Sequence, residues 1–214
     1  MSSTLSPMEK QQNYIDDLSE IRNIMERSSK FISLSGISGL LIGFYALIGA
    51  YLAYKTFYFS NELIYDDIKV GVISTNIIKL FIIALSVLTL SVGSAVILSY
   101  RKAKKMNLPV WDNTAKQLFI NLSIPLITGG VFILILFSKG VIGLIAPCTL
   151  LFYGLALVNA SKYTFTDIKY LGLAEIIVGL ISTYFIGFGL LFWAIGFGLF
   201  HIIYGVWMYL KYEK

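Results

Sequence analysis

The sequence has few of the residues that carry chemistry in enzymes. It contains one cysteine and one histidine in 214 residues. A single cysteine forms no disulfide within one chain, and a single histidine supplies neither a multi-histidine zinc site nor a bis-histidine haem site. The HExxH, GxSxG and Walker sequences are absent, as is a pair of intramembrane aspartates. We therefore expect no catalytic residues, no metal site and no cofactor, in a protein that is not an enzyme.

Charged residues are also scarce, at 14% of the chain against about 25% in ordinary soluble proteins. Hydrophobic residues make up 57% of the chain, and the mean hydropathy is +0.78. A soluble fold could not bury this much apolar surface. The composition therefore predicts an all-α, polytopic membrane helix bundle.

Six apolar segments are candidates for membrane spans, which need about 20 such residues each. The last apolar stretch, from 168 to 209, has 42 residues. At ~1.5 Å per residue it is about 63 Å long, twice the thickness of a bilayer core, so it must fold back. Gly187-Phe188-Gly189 supplies the turn. We predict a transmembrane domain over 31–214, with spans near 31–54, 80–100, 118–137, 141–160, 168–186 and 189–209.

Lysine and arginine are unevenly distributed between the two sides of these spans. Of the 17, 13 fall on the side of the termini, and four fall on the other side: Lys55, Lys69, Lys79 and Lys139. Because positive residues accumulate in cytoplasmic loops, both termini are predicted to be cytoplasmic. The same bias accounts for the net charge of +5, so no nucleic-acid partner is needed to explain it.

Residues 1–30 predict a short amphipathic helix on the cytoplasmic side, starting at Ser6-Pro7-Met8-Glu9. One apolar stripe follows from the helical spacing of Tyr14, Leu18, Ile21 and Met25. The helix fits three roles: packing under the bundle, pairing with a second copy or another protein, or lying on the bilayer. Besides the lipid bilayer, the expected partners are therefore a homo-oligomer or a protein bound through this helix.

Two ionisable side chains within the predicted spans are candidates for function, Glu175 in the fifth and His201 in the sixth. Ionisable groups are costly in a bilayer and are functional candidates by default. Both lie 13 residues from Phe188, so they are at the same depth, about 20 Å from the turn. We therefore predict that Glu175 contacts His201. The contact is either a hydrogen-bonded pair that holds the hairpin together or a protonatable element of a binding site.

Other residues of interest are defined by their positions around this pair. Small residues share a helix face with Glu175 (Gly172, Gly179, Ser182) and with His201 (Ala194, Gly198, Gly205). They favour close packing of the fifth span on the sixth. In the first span, Gly39 and Gly43 form a GxxxG pair suited to internal packing or to dimerisation. Three further polar residues are placed where they could line a polar, inward-facing pocket: Tyr153, Asn159 and Tyr204.

Both ends of the chain resemble an uncharacterised family of small bacterial inner-membrane proteins. The resemblance is carried by LSEIRNIMERSSKFISLSG and LIGFYALIGAYLAY within 18–54, and by the C-terminal FGLFHIIYGVWMYLKYEK. It implies a six-helix protein of the bacterial cytoplasmic membrane, encoded beside a winged-helix regulator. The family carries no assigned activity, so the resemblance supplies no catalytic residues.

Two functions remain open from the sequence. The first is a non-enzymatic scaffold, or a sensory or regulatory membrane partner, acting through the N-terminal helix. The alternative is a small transporter or proton-linked permease that uses Glu175 and His201.

Overall fold

The computed structural model of the chain describes residues 31, 33–58 and 75–214. This part of the chain is helical and contains no strand. Its six long helices are α1 (Gly36–Tyr58), α2 (Thr75–Lys105), α3 (Asn113–Ser138), α4 (Ile145–Ala160), α5 (Asp167–Tyr184) and α6 (Gly189–Tyr212). The helix predicted over residues 1–30 lies outside the described residues.

Five of the described helices are long and apolar enough to cross a membrane, namely α1, α2, α3, α4 and α6. The exception is α5, which has 18 residues and carries three charges, Asp167, Lys169 and Glu175. Two of these charges lie in its first turn, where they do not interrupt the apolar part of the helix. The chain is thus a helical membrane protein, as its composition predicts.

Local sequence explains where several helices begin and end. The Asp112 carboxylate accepts a hydrogen bond of 2.7 Å from the Ala115 amide and so caps the start of α3. Between α5 and α6, Gly187 adopts a φ of +110°, a conformation that only glycine reaches readily. The chain therefore reverses direction within 185–188, where the sequence predicts the turn.

The helices form two groups of three. In the first group α1 packs against both α2 and α6, and in the second group α4 packs against both α3 and α5. The two groups meet chiefly where α6 contacts α4 and α5. The outermost helices, α2 and α3, are mostly exposed; in the most apolar stretch of α2 no residue is buried. These faces are suited to contact with lipid.

The predicted packing of α5 directly on α6 through small residues is wrong. Each set of small residues packs against a different helix: Gly172 lies against Gly154 of α4, and Gly205 lies against Gly36 and Leu40 of α1. A Cβ on Gly205 would be 2.5 Å from the Leu40 amide nitrogen, so the backbones of α1 and α6 are very close. The sequence shows which helix faces are small, but small faces alone do not determine which helices pair.

The remaining small residues follow the same arrangement. Gly179 packs against Leu150 and Leu151 of α4. Gly43 and Gly198 lie opposite each other in the seam between α1 and α6, and Gly39 lies opposite Gly205. The GxxxG pair of α1 therefore packs inside the bundle, which is one of its two predicted uses.

Candidate functional site: a buried Glu–His–Tyr cluster

Glu175 of α5 and His201 of α6 meet in the interior of the bundle. Glu175 is 0% exposed and His201 is 2% exposed. The imidazole Nδ1 lies 3.5 Å from Oε1 of Glu175. The structure therefore contains the contact that the equal distances from the turn predict, although α5 and α6 do not pack together along their length.

His201 is hydrogen-bonded through both ring nitrogens. Nδ1 lies 3.1 Å from the carbonyl oxygen of Gly196, and Nε2 lies 2.8 Å from the hydroxyl of Tyr153. Because a carbonyl oxygen only accepts, the hydrogen of the neutral imidazole is on Nδ1, and Nε2 accepts from the Tyr153 hydroxyl. The ring thus lies between a phenol, to which Nε2 is bonded, and a carboxylate, which lies 3.5 Å from Nδ1.

The carboxylate of Glu175 has no hydrogen-bond donor within the described part of the chain. Both of its oxygens are buried and unpartnered, because the Nδ1 hydrogen of His201 is donated to Gly196. A buried charge without a donor is costly, so the stable forms are a protonated carboxyl beside neutral imidazole, or a carboxylate beside imidazolium. Both forms hold one extra proton, which is shared between Glu175 and His201.

The backbone of α6 is irregular at this site. Its residues Ala194–Phe200 form a π-helical segment, and His201 is the first residue after it. Gly196 lies inside this segment against the carboxylate, where a Cβ would collide with Oε2 of Glu175 and lie 2.5 Å from Leu150 Cδ2. Only glycine leaves room for the carboxylate here, and wide turns of this kind are frequent at functional sites.

Aromatic rings surround one side of the imidazole. Phe197 stacks on His201 with ring centroids 6.0 Å apart, and the Tyr153 ring lies 4.9 Å from Phe197. Trp193 continues this aromatic cluster, 5.1 Å from Phe197. These rings restrict the access of lipid chains and water to the cluster from the Trp193 side.

The other predicted neighbours of the pair separate in the structure. Asn159 does not face the cluster, because its side-chain amide donates a 3.0 Å hydrogen bond to the carbonyl oxygen of Asn121 in α3. Tyr204 and Tyr153 both pack against the buried cluster that Leu157, Ile168 and Leu171 form. The Tyr204 hydroxyl is buried and has no partner among the described residues. Of the three predicted neighbours, only Tyr153 is bonded to the pair.

A groove of about 480 Å³ runs between α5 and α6 toward this cluster. Its walls are mainly apolar, and it is lined by Asp167, Tyr170, Leu171, Ala174, Phe200, Ile203, Tyr204 and Trp207. The lining includes Tyr204 but neither Glu175 nor His201. This groove is therefore not the polar pocket predicted for the pair and its neighbours.

Asp167 at the start of α5 forms an ionic contact with α6 that the sequence did not predict. Its carboxylate accepts hydrogen bonds from Lys211 Nζ at 3.0 and 2.9 Å and from the Tyr212 hydroxyl at 2.7 Å. Partial burial acts to raise the pKa of Asp167, but the hydrogen bonds from Tyr212 and Lys211 outweigh it, so the pKa lies below its usual value. This end of α5 is thus attached to the C-terminal end of α6 in the charged state.

Glu213 forms a second contact at the same end of the bundle. It accepts a 2.9 Å bond from Lys102 of α2 and a 2.8 Å bond from the Gly36 amide at the start of α1. Partial burial acts to raise its pKa, yet the bonds from Lys102 and Gly36 lower it overall. The C-terminal residues 211–213 therefore connect both three-helix groups.

Comparisons with protein-family models, with curated proteins and with solved structures find no match to this chain. Among the described residues, no group of three or more histidine, cysteine, aspartate or glutamate side chains is placed to hold a metal ion. The functional argument therefore rests on the geometry of the cluster.

Proposed function

We propose that the chain is a small proton-linked transporter of the bacterial cytoplasmic membrane, in which Glu175 and His201 bind and release the proton. The observation that supports this is the burial of the Glu175 carboxylate without a hydrogen-bond donor among the described residues. A pair that only held α5 to α6 would be expected to satisfy its polar atoms. An unsatisfied buried group costs about 1–3 kcal/mol, which is reasonable at a site that must exchange a proton.

The imidazole transfers the proton between phenol and carboxylate. Once Glu175 has released its proton, a proton passes from the Tyr153 hydroxyl to Nε2, and the hydrogen on Nδ1 passes to Oε1 of Glu175, 3.5 Å away. Tyr153 then takes a proton from the next donor. The imidazole now carries its hydrogen on Nε2, and it returns to the first tautomer when Nε2 releases that hydrogen and Nδ1 gains another. One proton enters at Tyr153 and one arrives at Glu175, so the count balances.

The site lies between the two helix groups. His201 belongs to the group α1, α2 and α6, whereas Glu175 and Tyr153 belong to the group α3, α4 and α5. Transporters commonly place their coupling site between helix groups that move against each other. Gain or loss of a proton at Glu175 changes the charge at this boundary and so favours one arrangement of the groups over another.

The proposed topology has six spans with both termini in the cytoplasm. The fifth of these spans is α5, which is not among the five long apolar helices; its 18 residues extend about 27 Å, close to the thickness of a bilayer core. The orientation rests on the 13-to-4 distribution of lysine and arginine. The bacterial cytoplasmic membrane is the location implied by the resemblance at the two ends of the chain.

Proton flux into liposomes tests the proposal. Protein is reconstituted with a pH-sensitive dye inside, an inward proton gradient is imposed, and the potential is clamped with potassium and valinomycin. We expect faster acidification than in protein-free liposomes, and Glu175→Gln should abolish the difference. Glu213→Gln is the matched control, because it makes the same substitution outside the site and should keep the flux. If wild-type liposomes acidify no faster than empty ones and Glu175→Gln only lowers the melting temperature, the pair is structural.

A sensory or scaffold role through residues 1–30 is a second candidate, favoured by how the chain enters α1. The Phe31 amide donates a 2.7 Å hydrogen bond to the Tyr163 carbonyl, and the Thr164 hydroxyl donates one of 2.7 Å back to the Phe31 carbonyl. Lys102 also bonds to the carbonyl of Leu34 at 2.7 Å. A movement of the preceding residues would therefore be transmitted to the connection between α4 and α5.

A further inference from the structure

The hydroxyl of Tyr204 is buried and has no hydrogen-bond partner among the described residues. The Tyr204 side chain lies between the groove and the buried residues that pack against Tyr153. On one side, Tyr204 forms part of the wall of the groove that begins at Asp167. On the other side, Tyr204 packs against the same buried residues as Tyr153, whose hydroxyl bonds to His201. It also follows His201 by three residues, so the two side chains lie on the same face of α6, about 4.5 Å apart along its axis.

We propose that Tyr204 is the relay group through which protons enter the cluster from the end of the bundle that carries the C terminus. This inference rests on the proposed role of Glu175 as the proton acceptor. Its chemistry follows from the phenol, which accepts a proton on its free lone pair while it donates its own. A proton that arrives through the groove is passed by Tyr204 toward Tyr153, and Tyr153 thereby regains the proton that it gives to Nε2 of His201.

The groove extends to the level of the cluster. Its lining reaches Ala174 on α5 and Phe200 on α6, the residues immediately before Glu175 and His201. Near the C terminus it begins at Asp167, which already binds Lys211 and Tyr212. The lining contains two phenols: Tyr170 is 67% exposed, whereas the hydroxyl of Tyr204 is buried.

The charged and titratable groups around Tyr204 come from three helices. They are Tyr153 on α4, Asp167 on α5 and Tyr212 on α6. Lys211 neutralises Asp167, and Tyr153 is engaged with His201. Tyr204 is therefore the group in this set that is left without a partner within the described residues and is available to accept a proton.

The test measures the rate of proton uptake from a defined side. Proteoliposomes are captured through an affinity tag on the C terminus, so that this end of the bundle faces the external buffer. After a rapid acid jump, an external pH-sensitive dye reports the protons taken up. We expect Tyr204→Phe to slow uptake by roughly tenfold or more, while the final number of bound protons per protein stays that of wild type.

Ser182→Ala is the matched control. Ser182 of α5 is 0% exposed, and its hydroxyl, like that of Tyr204, is buried without a partner among the described residues. It does not line the groove. Its loss should leave the uptake rate unchanged, so a slow rate in Tyr204→Phe alone is specific to the position of that hydroxyl.

A second variant tests the route without removing the phenol. In a Cys148→Ala background, Ala174→Cys places a thiol in the groove wall, and a bulky methanethiosulfonate reagent then fills the groove. Labelled protein should take up protons slowly and unlabelled protein at the normal rate. Wild-type rates in both Tyr204→Phe and labelled Ala174→Cys would overturn the relay. A third outcome separates the two proposals. If Glu175→Gln lowers the final number of bound protons while Tyr204→Phe and labelled Ala174→Cys keep the wild-type uptake rate, the proposed function is supported and only the relay role of Tyr204 is rejected.

Discussion

Lys211 near the end of α6 binds Asp167 at the start of α5, with Nζ 3.0 and 2.9 Å from the two carboxylate oxygens. This pair joins the two three-helix groups at the end of the bundle that carries the C terminus. It lies where the groove between α5 and α6 begins, so its strength affects both stability and access to Tyr204.

Asp167→Asn should lower the melting temperature at neutral pH in a pH-dependent way. Because the folded pKa of Asp167 is below its usual value, its contribution is present at pH 7 and is lost as the pH falls through the folded pKa, below about pH 4. Melting in detergent should therefore show a difference between wild type and Asp167→Asn at pH 7 that disappears in acid. A double-mutant cycle with Lys211→Met should give only a small coupling, since Lys211 is exposed and solvent screens its charge. An equal difference at both pH values would contradict the assignment to this carboxylate.

Tyr153→Phe should destabilise the protein, whereas Tyr204→Phe should not. The first substitution removes the hydroxyl that bonds to Nε2 of buried His201 at 2.8 Å, which leaves a buried nitrogen unpaired at a cost of about 1–3 kcal/mol. The second removes a hydroxyl that has no partner among the described residues. Thermal melting of the two variants side by side makes the comparison, because the chemical change is identical. Equal melting temperatures would show that the Tyr153 bond does not contribute to stability.

Gly196→Ala should be destabilising and should also disturb the site. A Cβ at this position collides with Oε2 of Glu175 and with Leu150, and overpacking of this kind costs about 1–3 kcal/mol. Gly93→Ala in α2 is the control, because a Cβ there meets nothing within 4 Å and alanine favours the helix. Melting temperatures should fall for Gly196→Ala and stay level or rise for Gly93→Ala. A tolerated Gly196→Ala would mean that the carboxylate lies elsewhere.

Deletion of residues 1–27 should leave the bundle folded and its proton uptake intact, because the contacts of Phe31 and Leu34 with the bundle are retained. Size-exclusion chromatography and the liposome assay measure both. Loss of a co-purifying protein from the shortened chain, with the bundle still folded, would support the scaffold or sensory role. Loss of proton uptake would instead show that these residues act on the cluster itself.

The sequence was sufficient to predict the meeting of Glu175 and His201, because their equal distance from the turn depends only on helix rise. It was not sufficient for the pairing of helices. Gly172 and Gly205 lie on small faces that suit several partners, and the choice between them depends on the whole bundle. The π-helical segment before His201 leaves no pattern in the sequence, so the bond to Gly196 could not be anticipated. The contact of Asn159 with α3 is not predictable for a related reason. Helical periodicity gives the depth of a residue in the bundle, but it does not show which neighbouring helix that residue contacts.

The π-helical segment of α6 also has a consequence for the helix as a whole. The N-terminal end of α6 packs on α4, where Gly189 meets Ala146, and the C-terminal end packs on α1, where Gly205 meets Leu40. In a regular helix the direction of each side chain around the axis follows from its position in the sequence. A π-helical turn rotates all the side chains after it relative to those before it. One helix can thus belong to two separately oriented interfaces, and His201 lies at the point where this rotation occurs.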